Sequence, residues 1–321
     1  MLFIGIDGGG TKTEGVVTDL EGNVLSRKFT SSTNPSASTI TVSVKRAGEL
    51  TAGLLAALPS YGKKNVYIFA GIAGLGRKND ISRWTTEWDR QAPDLFGEHA
   101  ARIQITASHD GVTALYSGTR GQSGVVTIAG TGSFSYGINQ KGEEGRCGGW
   151  GYLAGDPGSG FAMGQRALQH ALRELDQGYG ELSGLTSTIL DRIKCADRDG
   201  LLTWVYGDPA EGRTRVAGLT GALFNAADAG DTGAARIIKT EARHLADQSS
   251  TLIRRLFADE MASGNTVRHV LAGGLFNRND WIAPVLEEEY QRQNLSVVNV
   301  FPACTPAEGA AAFLRREAGL E

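Results

Sequence analysis

Cysteine is scarce in this sequence. Three residues, Cys147, Cys195 and Cys304, stand far apart among 321 and form no CxxC pair. That odd, scattered set excludes a disulfide framework and a thiolate zinc site, and it points to a reducing compartment. The five histidines (His99, His109, His170, His244 and His269) show no HxxxH or HExxH spacing, so no histidine metal centre of those types is built. No run approaches the ~18 apolar residues of a membrane span. The opening MLFIGIDGGG is broken by Asp7 and lacks a basic leader and a cleavage site, so it reads as a buried strand and not a signal peptide. Neither sign of charge dominates: 32 basic and 35 acidic residues give a net charge of -3. Nucleic acid and anionic membranes therefore have no electrostatic footing here. These absences describe a soluble, cytoplasmic chain.

Apolar residues make up 41%, enough to bury cores and unlike a disordered chain. The length suits two domains of roughly 100–200 residues each better than one. Glycine is in excess, with 44 residues, about twice the usual ~7%. Excess glycine serves places where backbone turns sharply or approaches a ligand closely.

The chain opens with an apolar run, Leu2 to Ile6, then the glycine turn DGGGTKT, a second run, Gly15 to Asp19, a polar turn, and a third run, Val24 to Phe29. This reads as strand, glycine loop, strand, tight turn, strand. Helical spacing follows over Thr39 to Leu58, and strands are expected at Asn65 to Ala70 and Arg102 to Thr106. Then the opening returns. An offset of 122 residues lays Ile6 on Ile128, Gly8 on Gly130, Gly10 on Gly132, Thr11 on Ser133 and Gly15 on Gly137. Two hairpins with glycine-rich tips thus stand one domain apart. Helices are expected over Phe161 to Asp176, Gly233 to Phe257 and Ala307 to Glu317, and a strand over Val267 to Ala272 leads into GGLFN. The pattern divides into residues 1–112 and 113–304, with the closing segment 305–321 returning to the first domain.

A P-loop requires a lysine directly after its last glycine and a helix beyond, whereas here Thr11 intervenes before Lys12 and a strand follows. The dinucleotide fingerprint fails too, because Thr13 stands where its third glycine belongs. What remains is a hairpin tip offering N–H groups and a threonine hydroxyl to an anion. Positive φ at Gly8 to Gly10 is expected to aim those N–H groups inward as a nest. Asp7 can hold Mg²⁺ through waters, and Lys12 adds a point charge.

DGGGT (Asp7 to Thr11), AGTGS (Ala129 to Ser133) and LAGGL (Leu271 to Leu275) resemble the phosphate-1, phosphate-2 and adenosine motifs of the actin-like ATPase and sugar-kinase superfamily. CGGWGYLAGDPGSG (Cys147 to Gly160) is similar to the N-acetylglucosamine and glucosamine kinase branch of the BadF/BadG/BcrA/BcrD ATPase family. The resemblance implies an α/β fold of two actin-like, ribonuclease H-like domains. Each would be a mixed five-stranded sheet flanked by helices, with ATP in an interdomain cleft, Mg²⁺ as cofactor and a homodimer as the assembly.

Carried over residue by residue, it makes Asp110 in SHDGVTAL the general base toward a sugar hydroxyl, where capping the following helix is the plainer role. Asn34 in STNPS would hold sugar hydroxyls, or serve an Asn-Pro turn. Ser133, Gly149, Trp150, Gly151 and Asp156 would line the sugar site. Trp150 could instead be core, and Asp156 could cap the next helix. Gly9, Gly10, Thr11, Lys12, Gly130, Thr131 and Gly132 would meet the phosphates, and Ala217, Gly273 and Gly274 the adenosine. Cys147 reads as a packed thiol. After GTGS the acetylated-sugar kinases commonly carry Asn. Here Phe134 stands there, which sets glucosamine beside N-acetylglucosamine as the expected substrate. An activator-type ATPase would place a cysteine beside the second phosphate loop, where this chain has Val126-Thr127-Ile128. A non-catalytic nucleotide-binding protein of the same fold would not need Asp110.

Overall fold

Leu2, Ile4 and Ile6 alternate with Phe3 and Gly5, and that period of two fixes the first strand with one side chain set on each face. The computed structural model describes residues 1–58, 61–178, 180–195, 197–207 and 211–320; residue 321, last of the segment assigned to the closing helix, lies outside them. The chain forms two units, one of residues 1–124, 140–142 and 300–321, the other of 125–139 and 143–299.

The first unit contains β1 (Leu2–Gly8), β2 (Lys12–Thr18), β3 (Val24–Ser31), α1 (Ile40–Ala56), β4 (Val66–Ile72), α2 (Lys78–Phe96), β5 (Ile103–Ser108) and α3 (Asp110–Thr119). Its sheet runs in the order β3-β2-β1-β4-β5, with β1, β4 and β5 parallel and β2 antiparallel to both neighbours. Leu2, Ile4 and Ile6 pack with Val44, Leu50 and Leu54 of α1 and with Trp84 and Trp88 of α2.

The second unit holds β6 (Gly124–Ala129), β7 (Ser133–Ile138), β8 (Glu144–Gly148), α4 (Gly160–Gln177), α5 (Gly184–Ile193), α6 (Arg198–Tyr206), α7 (Gly212–Gly218), α8 (Thr220–Asp228), α9 (Thr232–Leu256), the short α10 (Ala258–Ala262), β9 (Val267–Ala272), α11 (Asn279–Arg292) and β10 (Val297–Val300). Its sheet order is β10-β9-β6-β7-β8, which repeats the first sheet strand for strand. Within it, His269 is fully buried, with its ring nitrogens 2.7 Å from the Thr127 hydroxyl and 2.8 Å from the Tyr290 hydroxyl. Burial drives this imidazole down to about 4.

The last helix, α12 (Pro306–Glu317), belongs to the first unit. A capping box of Thr305 and Glu308 starts it. It lies against the other face of β1, where Ala307 and Ala311 meet Val16. The contact is possible because position 5 is glycine: a β-carbon there would stand 1.8 Å from the Ala307 carbonyl oxygen. No helix among the described residues is long and apolar enough to cross a membrane.

Candidate active site

Because β1, β4 and β5 are parallel, their carboxyl ends share one edge of the first sheet, the edge where open α/β sheets place ligands. Asp7 is the penultimate residue of β1 there, and Asp110 follows β5. The capping role expected as the alternative for Asp110 belongs to its neighbour: His109 accepts the Gly111 amide through Nδ1, and Asp110 is the first residue of α3. The helix start favours negative charge at that point. The Thr113 hydroxyl lies 2.7 Å from Asp7 Oδ1 and 2.8 Å from the Asp110 backbone carbonyl, so its one proton serves either and links the Asp7 carboxyl to the start of α3. Thr113 carried no signal in the sequence beyond following Asp110 by three residues. Burial, with smaller pushes from Asp110 and Glu14, raises the Asp7 carboxyl to about 6 against the opposing Thr113 hydrogen bond and Lys12 charge.

The glycine tip corrects one expectation. None of Gly8, Gly9 and Gly10 has positive φ, so no nest of that kind forms. Space explains two of these glycines instead. A β-carbon on Gly8 would lie 2.2 Å from Thr33 Oγ1, and one on Gly9 3.1 Å from the Lys12 carbonyl oxygen, which accepts the Gly9 amide. Gly10 faces open space, and Gly10, Thr11 and Lys12 are exposed. Lys12 rests its ammonium 5.5 Å from the Phe29 ring centre.

Asn34 joins this edge through two ties. Ser32 donates to the Gly9 carbonyl at 2.8 Å, and Thr33 hydrogen-bonds Thr13. The Asn34 Oδ1 accepts the Ser36 amide at 2.8 Å, which is the turn role, and leaves its amide nitrogen to donate elsewhere.

In the second unit the tip Gly130-Thr131-Gly132 is bound to the start of α4: Gly160 and Phe161 donate to the carbonyls of Gly130 and Thr131. Gly130 and Gly132 also lack positive φ. Thr131 is exposed, whereas Ser133 is buried with its hydroxyl donating to the Pro157 carbonyl at 2.7 Å, so its side chain acts as a strut. Positive φ is concentrated in the segment expected to meet the sugar. Gly148, Gly149, Gly151 and Gly158 have φ from 71 to 87, and Asp156, not a glycine, has φ 64.

Trp150 is 79% exposed, which excludes the core role. Asp156 is buried and accepts the Gly151 amide at 3.1 Å, while the cap of α4 is Ser159, so the capping alternative for Asp156 is excluded as well. Glu241 and Gln248 hold the segment from α9, Glu241 accepting the Gly158 amide at 2.6 Å and Gln248 donating to Pro157. Both lie more than 80 residues from their partners, which hid them from sequence reading. Cys147 is half-buried and free.

Gly273 has φ 101, and a β-carbon there would stand 2.4 Å from the Ala129 carbonyl, so the LAGGL and AGTGS turns are seated against each other. Gly274 is exposed with open space beside it. Ala217 is buried in α7, where it offers an apolar wall and no polar atom of its side chain.

Among known proteins, residues 4–313 match the model of the BadF/BadG/BcrA/BcrD ATPase family. An N-acetyl-D-glucosamine kinase of Dictyostelium discoideum is 31% identical over 97% of this chain and 96% of its own. An N-acetylmuramic acid/N-acetylglucosamine kinase of Clostridium acetobutylicum is 31% identical over 87% of each. A solved structure from Chromobacterium violaceum, described as a candidate N-acetylglucosamine kinase, superimposes with a TM-score of 0.68 at 26% identity and covers 98% of each chain. With the match spanning nearly the whole sequence and the two sheets repeating one topology, the chain belongs to the BadF/BadG/BcrA/BcrD ATPase family.

Proposed function

We propose that this protein is a sugar kinase that transfers the γ-phosphoryl group of MgATP to the C6 hydroxyl of an amino sugar, N-acetylglucosamine or glucosamine. The observation that carries this reading is the placement of two acids, Asp7 and Asp110, at the carboxyl edge of the first sheet beside an exposed glycine tip, with Thr113 reaching the Asp7 carboxyl and the Asp110 backbone. Relatives named as amino-sugar kinases along nearly the whole chain support it.

A sugar hydroxyl is too weak an acid to ionise alone. Asp110 accepts its proton as the oxygen attacks phosphorus, a contribution of ~10²–10⁴-fold. Asp7 fits Mg²⁺, which keeps most of its waters and needs one or two carboxylates, and Mg²⁺ when bound neutralises phosphate charge. Gly9 to Lys12 and Gly130 to Gly132 bind phosphate oxygens. Gly273 and Gly274 let adenosine approach the backbone, with Ala217 as wall. Asn34, Gly149 to Gly151 and Asp156 orient the sugar, with exposed Trp150 as its platform.

Within this reading Phe134, at the position where the acetylated-sugar kinases commonly carry Asn, keeps glucosamine beside N-acetylglucosamine as substrate; the Arg146 guanidinium lies 4.7 Å from its ring centre. The test of the reading is Asp110→Asn in a coupled ADP-release assay over both sugars. Turnover should fall at least ~10²-fold with ATP binding retained; unchanged turnover removes Asp110 as base.

A further inference from the structure

We propose that Arg213 is a phosphate-binding cation of the second glycine loop, an inference that rests on the kinase reading and adds a residue to it. A triphosphate brings several negative charges, and the first loop has Lys12 to meet them. Gly130-Thr131-Gly132 contains no cation. The usual substitute, the N-terminus of the adjoining helix, is closed: the amides of Gly160, Phe161, Ala162 and Met163 already donate to Gly130, Thr131 and Ser159. Without positive φ at either glycine, the tip has no nest to replace it.

Arg213, at the start of α7, supplies the missing charge. A β-carbon on Gly132 would stand 2.9 Å from its terminal nitrogen and 2.8 Å from Asp156 Oδ2, so the guanidinium lies directly against the loop. The side chain is 41% exposed. Two contacts hold it without using its donors. The Tyr152 ring carries it at 5.2 Å, and Asp156 Oδ2 lies 3.6 Å away, an ion pair outside hydrogen-bond range. Among the described residues the guanidinium makes no hydrogen bond, so its planar fork remains available for phosphate oxygens. Asp156 thereby links both jobs: one carboxylate oxygen takes the Gly151 amide of the sugar segment, the other faces the phosphate cation.

The experiment compares wild type, Arg213→Ala and Arg213→Lys by calorimetric binding of ADP and of adenosine, with ADP-release turnover alongside. Arg213→Ala should weaken ADP roughly ten- to hundredfold while adenosine binding holds, and the loss should shrink at high salt. Arg213→Lys should recover part of it, since the charge returns without the fork. Equal ADP affinity in Arg213→Ala overturns the proposal, as does a parallel loss of adenosine binding, the mark of a merely structural ion pair. A wild type that turns over no sugar sinks the kinase reading instead, and is scored separately from the binding comparison.

Discussion

Replacing Gly5 with alanine should damage the protein far more than the added methyl group suggests. The new β-carbon would lie 1.8 Å from the Ala307 carbonyl oxygen and 2.8 Å from the Ala311 amide nitrogen, both backbone atoms of α12. No rotamer change can clear them. Helix α12 must retreat by more than an ångström, which also lifts Ala307 and Ala311 off Val16, all three fully buried. Overpacking costs ~1–3 kcal/mol where side chains can yield. Against a rigid helix the upper end applies, and the lost contacts add to it at ~0.8 kcal/mol per buried methylene. A destabilisation of about 3 kcal/mol lowers Tm by about 6–12 °C in a unit of this size. Thermal unfolding followed by circular dichroism measures it. Gly10→Ala is the internal control: its β-carbon meets nothing within 4 Å, so Tm should hold while the KM for ATP rises. A Gly5→Ala protein melting within about 2 °C of wild type would refute the seating of α12 on β1.

Stability should also fall in acid through His269. Its folded pKa is depressed to about 4, so between about 6.5 and 4 the unfolded chain binds a proton that the folded chain refuses. The loss on lowering pH through that window is about 3 kcal/mol, read from urea midpoints at each pH, and His269→Gln should flatten the slope. Phe134→Asn should raise the kcat/KM ratio of N-acetylglucosamine to glucosamine at least about tenfold; an unchanged ratio clears this position of the discrimination. Gly273→Ala forces a side chain onto φ 101 and toward the Ala129 carbonyl, and should cost ~1–3 kcal/mol and weaken ATP binding in a titration of the folded variant.

The repeated hairpins were legible because a strand and its glycine tip are local: the same apolar alternation and the same turn residues recur 122 positions on. The sheet order that repeats between the two units matches that signal. Helix α2 was not legible. It spans 19 residues with Pro93 inside and a mostly polar surface, and is anchored chiefly by Trp84, Trp88 and Phe96. Helix α11 likewise contains Pro284, and β10 has four residues, too few for a period to emerge. Glycine turns could be located but not their dihedrals, so a nest was expected where close packing against Thr33 and the Lys12 carbonyl accounts for Gly8 and Gly9. Arg213, Glu241 and Gln248 act on partners brought to them only by tertiary structure.

The seating of α12 has a consequence for biosynthesis. Residues 125–139 and 143–299 can complete their own core while the first sheet still waits for residues 306–317. Until that helix emerges, Gly5 and Val16 face outward on a nascent sheet, a greasy strip open to chaperones and to other chains. Truncation before Pro306 should therefore yield a product whose second half matures normally while its first half aggregates.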